Sequence, residues 1–229
     1  MSSIFGAHGD NVQQERARTA RRGSRTDTGG AIPVSHDAGA VVDPATVLHS
    51  AERVLDSVES LVRQMDPEQL DQPSWCGVWT VRSLLNHMAY ENLAHAALAD
   101  GAPMPASDTT TDYLGDDHLA AFLASTARVR AALGAPGMLQ RTYGPHEAPG
   151  AFVAQMLINE QLTHGWDLAR ATGQSTDIAP EVAEHAIQVA RVFYVDVPRS
   201  GQTYLPETQP PADATAADRL AAFMGRAVE

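Results

Sequence analysis

Apolar residues recur at spacings of three and four through long stretches of this chain, and that periodicity confines it to a helical fold. Val47, Leu48, Ala51, Val54, Leu55, Val58, Leu61 and Val62 form the first such stripe. Asp43-Pro44 predicts an N-cap followed by Pro at the first helical position, with a helix running to about Met65 and broken by Asp66-Pro67. Thr80 predicts the cap of a second helix carrying Val81, Leu84, Leu85, Met88 and Leu93. A third helix is expected over 116–133, with Leu119, Phe122, Leu123, Ala127 and Val129 as its apolar side. A fourth is expected over 151–171, stopped by Gly173. A fifth follows Pro180, and Thr215 can cap a short last helix with Leu220 and Phe223. Between them, 73–79 is turn-rich, 101–115 is polar, and 134–150 is interrupted by Pro136, Pro145 and Pro149. No strand-like alternation stands out. The expectation is an all-α protein: a four-helix bundle over residues 43–229 with additional short C-terminal helices. Residues 1–42, rich in Gly, Ser, Thr and Arg without apolar periodicity, are expected to be a disordered tail.

Charge and cysteine content narrow the function classes. The net charge is −12, and the first 40 residues balance Arg16, Arg18, Arg21, Arg22 and Arg25 against four acids. The acidic excess therefore belongs to the bundle, which argues against a nucleic-acid partner. No apolar run reaches the length of a membrane span, and no apolar leader opens the chain, so no membrane is expected. Cys76 is the one cysteine, which rules out an intrachain disulfide and a cysteine-rich zinc site. A cytoplasmic location is the expectation. Every basic residue is Arg, and Ala is abundant, as in products of GC-rich genomes.

The fourth helix carries the chemistry. Val153, Met156, Leu157, Glu160, His164 and Leu168 share one face at spacings of three and four. A carboxylate buried on such a face must be paired or coordinated. Glu160 and His164, one turn apart, can converge on one ion; a plain Glu–His hydrogen bond is the simpler alternative. His87, one turn beyond Leu84, is a candidate third ligand from the second helix, or else a core histidine satisfied by its neighbours. Two imidazoles and a carboxylate would leave coordination positions open, as in catalytic sites. A rival set, His87, Glu91 and His95, spans roughly 12 Å along one helix and cannot easily meet one ion. Glu91 and His95 are accordingly read as surface residues. Asp167, three residues after His164, is a candidate hydrogen-bond partner for a ligand or a solvated residue. His146 and Glu147 could line the mouth of such a site. Arg82, in the first turn of the second helix, could hold an anionic substrate or simply be exposed. Cys76 and Trp79 are read as packing residues where that helix starts.

The segment WCGVWTVRSLLNHM, Trp75 to Met88, resembles the first metal segment of DinB-like proteins. NEQLTHGWDLARATGQ, Asn159 to Gln174, resembles their second, and ADRLAAFMGR, Ala217 to Arg226, resembles the usual ending in the actinobacterial branch. That branch is similar to the N-terminal domain of mycothiol-dependent maleylpyruvate isomerase. The resemblance covers roughly residues 43–229. It implies a four-helix bundle and a divalent metal, most often zinc, on His87, Glu160 and His164. Nickel and iron(II) suit the same donors. Many relatives place a second histidine where this chain has Glu160. No counterpart of that isomerase's C-terminal domain is expected.

What the resemblance implies for activity is use of a low-molecular-weight thiol, such as mycothiol, on a small electrophilic substrate by a transferase or isomerase. Two other readings stand beside it. One is a thiol-independent metal-dependent hydrolase, lyase or isomerase; the other is a non-catalytic metal- or ligand-binding bundle. A homodimer is compatible with all three.

Overall fold

The structure is a computed structural model that describes residues 42–229, apart from 78, 108–109, 145–146, 195–198 and 200–204. The expected tail therefore lies outside the described residues, as does His146. Val42, the first described residue, is already packed in the core.

Among the described residues six α-helices follow in order: α1 (Val47–Gln64), α2 (Val81–Asp100), α3 (His118–Leu133), α4 (Gly150–Thr172), α5 (Pro180–Phe193) and α6 (Ala216–Phe223). α1 packs on α4 and α3, and α2 packs on both α3 and α4, which closes the four-helix bundle. α5 and α6 pack on each other and on α4. The apolar stripe read from α1 is the buried one: Val47, Ala51, Val54, Leu55, Val58, Leu61 and Val62 all face the core. None of the described helices is long and apolar enough to cross a membrane.

Local chemistry sets the boundaries. Thr80 Oγ1 accepts from Ser83 N at 3.2 Å, and Asp117 Oδ1 accepts from Ala120 N at 2.9 Å, so both helices start where a side chain satisfies a free N–H. Gly101 and Gly173 close α2 and α4 in the left-handed conformation. Regular helix in α1 begins at Val47 rather than just after Asp43. Asp43 Oδ1 takes Ala45 N at 2.9 Å and so spends the first residues on a local turn. Between α3 and α4, among the described residues, lie a short 3-10 turn at Met138–Gln140 and a two-residue hairpin pairing Thr142–Tyr143 with Ala148–Pro149, neither of them expected. Strands this short carry no alternation to be read.

One glycine fixes where α4 begins. A Cβ on Gly150 would lie 2.2 Å from the Met138 carbonyl oxygen, so the backbones of 138–139 and α4 touch directly. Backbone cannot yield as a side chain tip can. Gly150→Ala is therefore expected to destabilise the fold by about 1–3 kcal/mol, seen as a lowered midpoint in urea unfolding. A midpoint equal to wild type would show that the approach is looser than described.

Candidate metal centre

α2 and α4 face each other, and their polar residues meet at one level of the bundle. His87 comes from the middle of α2; Glu160 and His164 come from successive turns of α4. One ligand-type atom from each lies within 4.8 Å of the other two. The His87 and His164 rings meet edge to face with centroids 4.9 Å apart, and His164 Nε2 is 3.4 Å from Glu160 Oε2. The sequence-derived trio is thus brought together. Trp79 covers it, its ring 4.9 Å from His87 and 6.3 Å from His164. Trp79 packs as expected, but onto the cluster itself.

Asp167 is fully buried behind His164. His164 Nδ1 donates to Asp167 Oδ2 at 3.1 Å, which leaves Nε2 turned toward Glu160. A carboxylate holding the far nitrogen of an imidazole fixes its tautomer and orientation, as metal-ligating histidines require. Of the two expected places for Asp167, the structure selects the one beneath the ligand.

The protonation states suit a cation. Burial, together with the charge on His164, pushes His87 down to about 4, so its imidazole is neutral at pH 7. Burial pushes Glu160 up, but His164 and His87 overcome this and hold the carboxyl down to about 2. Burial likewise opposes the charge on His164, yet Asp167, Cys76 and Glu160 raise it well above 6.5. His164 therefore carries a proton on the nitrogen facing Glu160, the position that a bound cation would take. Two imidazoles and one carboxylate are donors for zinc, nickel or iron(II), and the set fits such an ion.

Cys76, His164 and Asp167 form a second group of ligand-type atoms within 4.8 Å. It is a poor cation site. Arg226 already donates to both Asp167 oxygens, at 3.1 and 2.7 Å, and its guanidinium lies 3.8 Å from Cys76 Sγ. A metal there would face a fixed positive charge.

Glu91 and His95 are not surface residues. Both are largely buried, with Glu91 Oε1 3.9 Å from His87 Nε2 and Oε2 3.6 Å from His95 Nδ1. Helical spacing alone put them on a polar flank of α2, but α4 covers that flank. Burial and the nearby Glu160 charge push Glu91 up to about 8. The two carboxyls thus separate into one anion and one neutral acid.

His87 also lines a cavity of about 530 Å³ between α2 and the loop that follows it. The loop is tied to the helix. Arg82 donates to Asp112 Oδ2 at 2.9 Å and to the Gly115 carbonyl at 2.8 Å. Asn86 donates to the Thr111 carbonyl at 2.9 Å and accepts from Tyr113 N at 2.7 Å. Arg82 does line the cavity, but in this structure its guanidinium holds the loop. Tyr90 and Tyr113 stand in the wall with ring centroids 5.9 Å apart. Glu147 sits exposed in the hairpin turn, away from both cavity and cluster.

A helical bundle with a His–Glu–His trio on facing helices defines the class: a DinB-like bundle. The chain belongs to the mycothiol maleylpyruvate isomerase N-terminal domain family, whose pattern it matches over residues 51–169. That stretch includes all three cluster residues and Asp167. Uncharacterized proteins from two strains of Mycobacterium tuberculosis are each 33% identical over 184 residues, covering 79% of this chain and 98% of theirs. No solved structure matches.

These shifts set opposite pH dependences in the metal-free protein. Between pH 6.5 and 4 the unfolded chain protonates His87 and the fold does not. The His87 contribution is present above pH 6.5 and lost on acidification, at most about 3 kcal/mol. Glu91 acts the other way: its folded carboxyl keeps a proton that the unfolded chain releases above 4.5, so stability falls as pH rises toward 8. His87→Gln should flatten the acid limb of an unfolding free energy profile. Glu91→Gln should stabilise at pH 8 and leave pH 4 unchanged. An unchanged slope between pH 6.5 and 4.5 in His87→Gln would mean that His87 is solvated in the fold; below pH 4.5 the low-held Glu160 carboxyl adds an acid loss of its own.

Proposed function

We propose that this protein is a metal-dependent enzyme that uses a low-molecular-weight thiol of the mycothiol type on a small electrophile, as an S-transferase or isomerase. The observation that carries this reading is the convergence of His87, Glu160 and His164 beside a cavity large enough for a small molecule. Membership in a family described by mycothiol supports the choice of thiol. His87, Glu160 and His164 Nε2 would hold one divalent cation, with zinc the first choice. Bound there, the cation supplies the positive charge that lowers a thiol's pKa and keeps it as thiolate at neutral pH.

The chain's own groups do the rest. Asp167 holds the Nδ1 proton of His164 and so keeps Nε2 turned toward the cluster, where its proton would give way to the cation. Trp79 closes one side against water. The cavity beyond His87 would receive the substrate between Tyr90, Tyr113 and the loop tied down by Asn86. Its one ion pair, Arg82 with Asp112, is internally neutralised, so the wall favours an uncharged body over a strongly anionic one. With a cation and Glu160 contributing one net positive charge, the centre itself selects an anionic head such as a thiolate. In the reaction the thiolate sulfur forms a bond to an electrophilic carbon. It either expels that carbon's leaving group or adds to a double bond and later departs.

Elemental analysis of the purified chain is expected to find one divalent ion per molecule, reduced at least tenfold in His87→Ala and His164→Ala. The metal-loaded protein should turn over an electrophile with mycothiol, and both alanine variants should lose that turnover. Metal-loaded protein that neither binds mycothiol nor uses it would sink the thiol reading while leaving the ion.

A further inference from the structure

Asp167 has no solvent exposure, and a carboxylate so placed needs donors on both oxygens. His164 supplies one. The others come from Arg226, whose Nε donates to Oδ1 at 3.1 Å and whose NH2 donates to Oδ2 at 2.7 Å. This two-pronged contact fixes the plane of the carboxylate as well as its charge. The same guanidinium donates from NH1 to the Met224 carbonyl at 3.1 Å, so it is held in turn by the backbone beside it.

Arg226 reaches this position through the way α6 ends. Gly225 N donates to the Ala222 carbonyl and Arg226 N to the Ala221 carbonyl, both at 2.9 Å, the paired bonds of a Schellman turn. Gly225 adopts φ +89°, and a Cβ there would lie 2.3 Å from the Leu205 Cβ. The turn thereby sends the next side chain inward. α6 is seated independently, since Asp218 Oδ1 accepts from Trp166 Nε1 at 2.7 Å and from Thr176 Oγ1 at 3.0 Å.

We propose that Arg226 is a positioning residue of the metal centre, delivered by the C-terminal turn to clamp Asp167 and so aim His164 Nε2 at Glu160 and His87. Arg226 would touch neither ion nor substrate. The proposal rests on the metal reading above and adds that the centre is complete only when α6 is docked. If Arg226 were a fold staple alone, its loss would lower stability without altering the ion's environment.

Zinc affinity by chelator competition, the absorption spectrum of the cobalt(II)-loaded protein and the unfolding midpoint of the metal-free protein separate these roles. The full chain is compared with Arg226→Gln, Arg226→Ala, Arg226→Lys and Arg219→Ala, the last removing a surface pair between α6 and Glu184 of α5. Arg226→Gln and Arg226→Ala are expected to weaken zinc binding about 10–100-fold and to alter the cobalt spectrum. Arg226→Lys should recover part of the affinity, because it keeps the charge but not the fork. Arg219→Ala should bind as wild type. Wild-type zinc affinity and cobalt spectrum in Arg226→Gln overturn the proposal, whatever the unfolding midpoint does. If Arg226→Ala does not fold, Arg226→Gln carries the same decision. Wild-type protein that takes up no stoichiometric zinc is a different failure, that of the metal reading itself.

Discussion

Two carboxylates sit on one buried stretch of α4, and neither can be there alone. Glu160 faces two imidazoles; Asp167 faces an imidazole and a guanidinium. His164 stands between them and touches both. A buried anion left without such partners is expensive enough to unfold a domain of this size or to take up a proton. The direction of the His164 ring and the inward course of Arg226 after α6 both answer this requirement. The site is therefore part of what orders the bundle, as well as a feature carried by it.

Much of this was legible in the residues. The stripe from Val47 to Val62 is the face that packs, and the caps at Thr80 and Thr215 fall where their side chains accept from the backbone. Glu160 and His164 stood out because two polar groups interrupted an apolar face. His87 was harder, since one histidine beside such a face is ambiguous until the opposing helix is placed. Glu91 and His95 were misjudged for the same reason in reverse. Their flank of α2 looks polar in isolation, and only the approach of α4 makes it interior.

Arg226 gave no sign of its contact: the ending ADRLAAFMGR resembles that of the actinobacterial branch but names no partner for its arginine. It stands 59 residues from Asp167 along the chain, in a segment whose pattern indicates only a short helix and a turn. Periodicity reports which side of a helix is buried; it says nothing of which remote side chain arrives there. The hairpin at 142–149 escaped for a simpler reason, being too short to show a period. Family membership joins these scales, since the matched stretch contains the trio and Asp167 but ends before α6.

The cavity has walls of two different kinds. One is α2, whose residues also serve the cluster and the core. The other is the loop tied down through Asn86 and Arg82, which grip it largely by its main chain. Main-chain grips tolerate exchange of the side chains they do not touch. Related proteins can thus keep the cluster on α2 and α4 while redrawing the cavity beside it, and sequence divergence around that cavity should concentrate in 101–117 rather than in the helices.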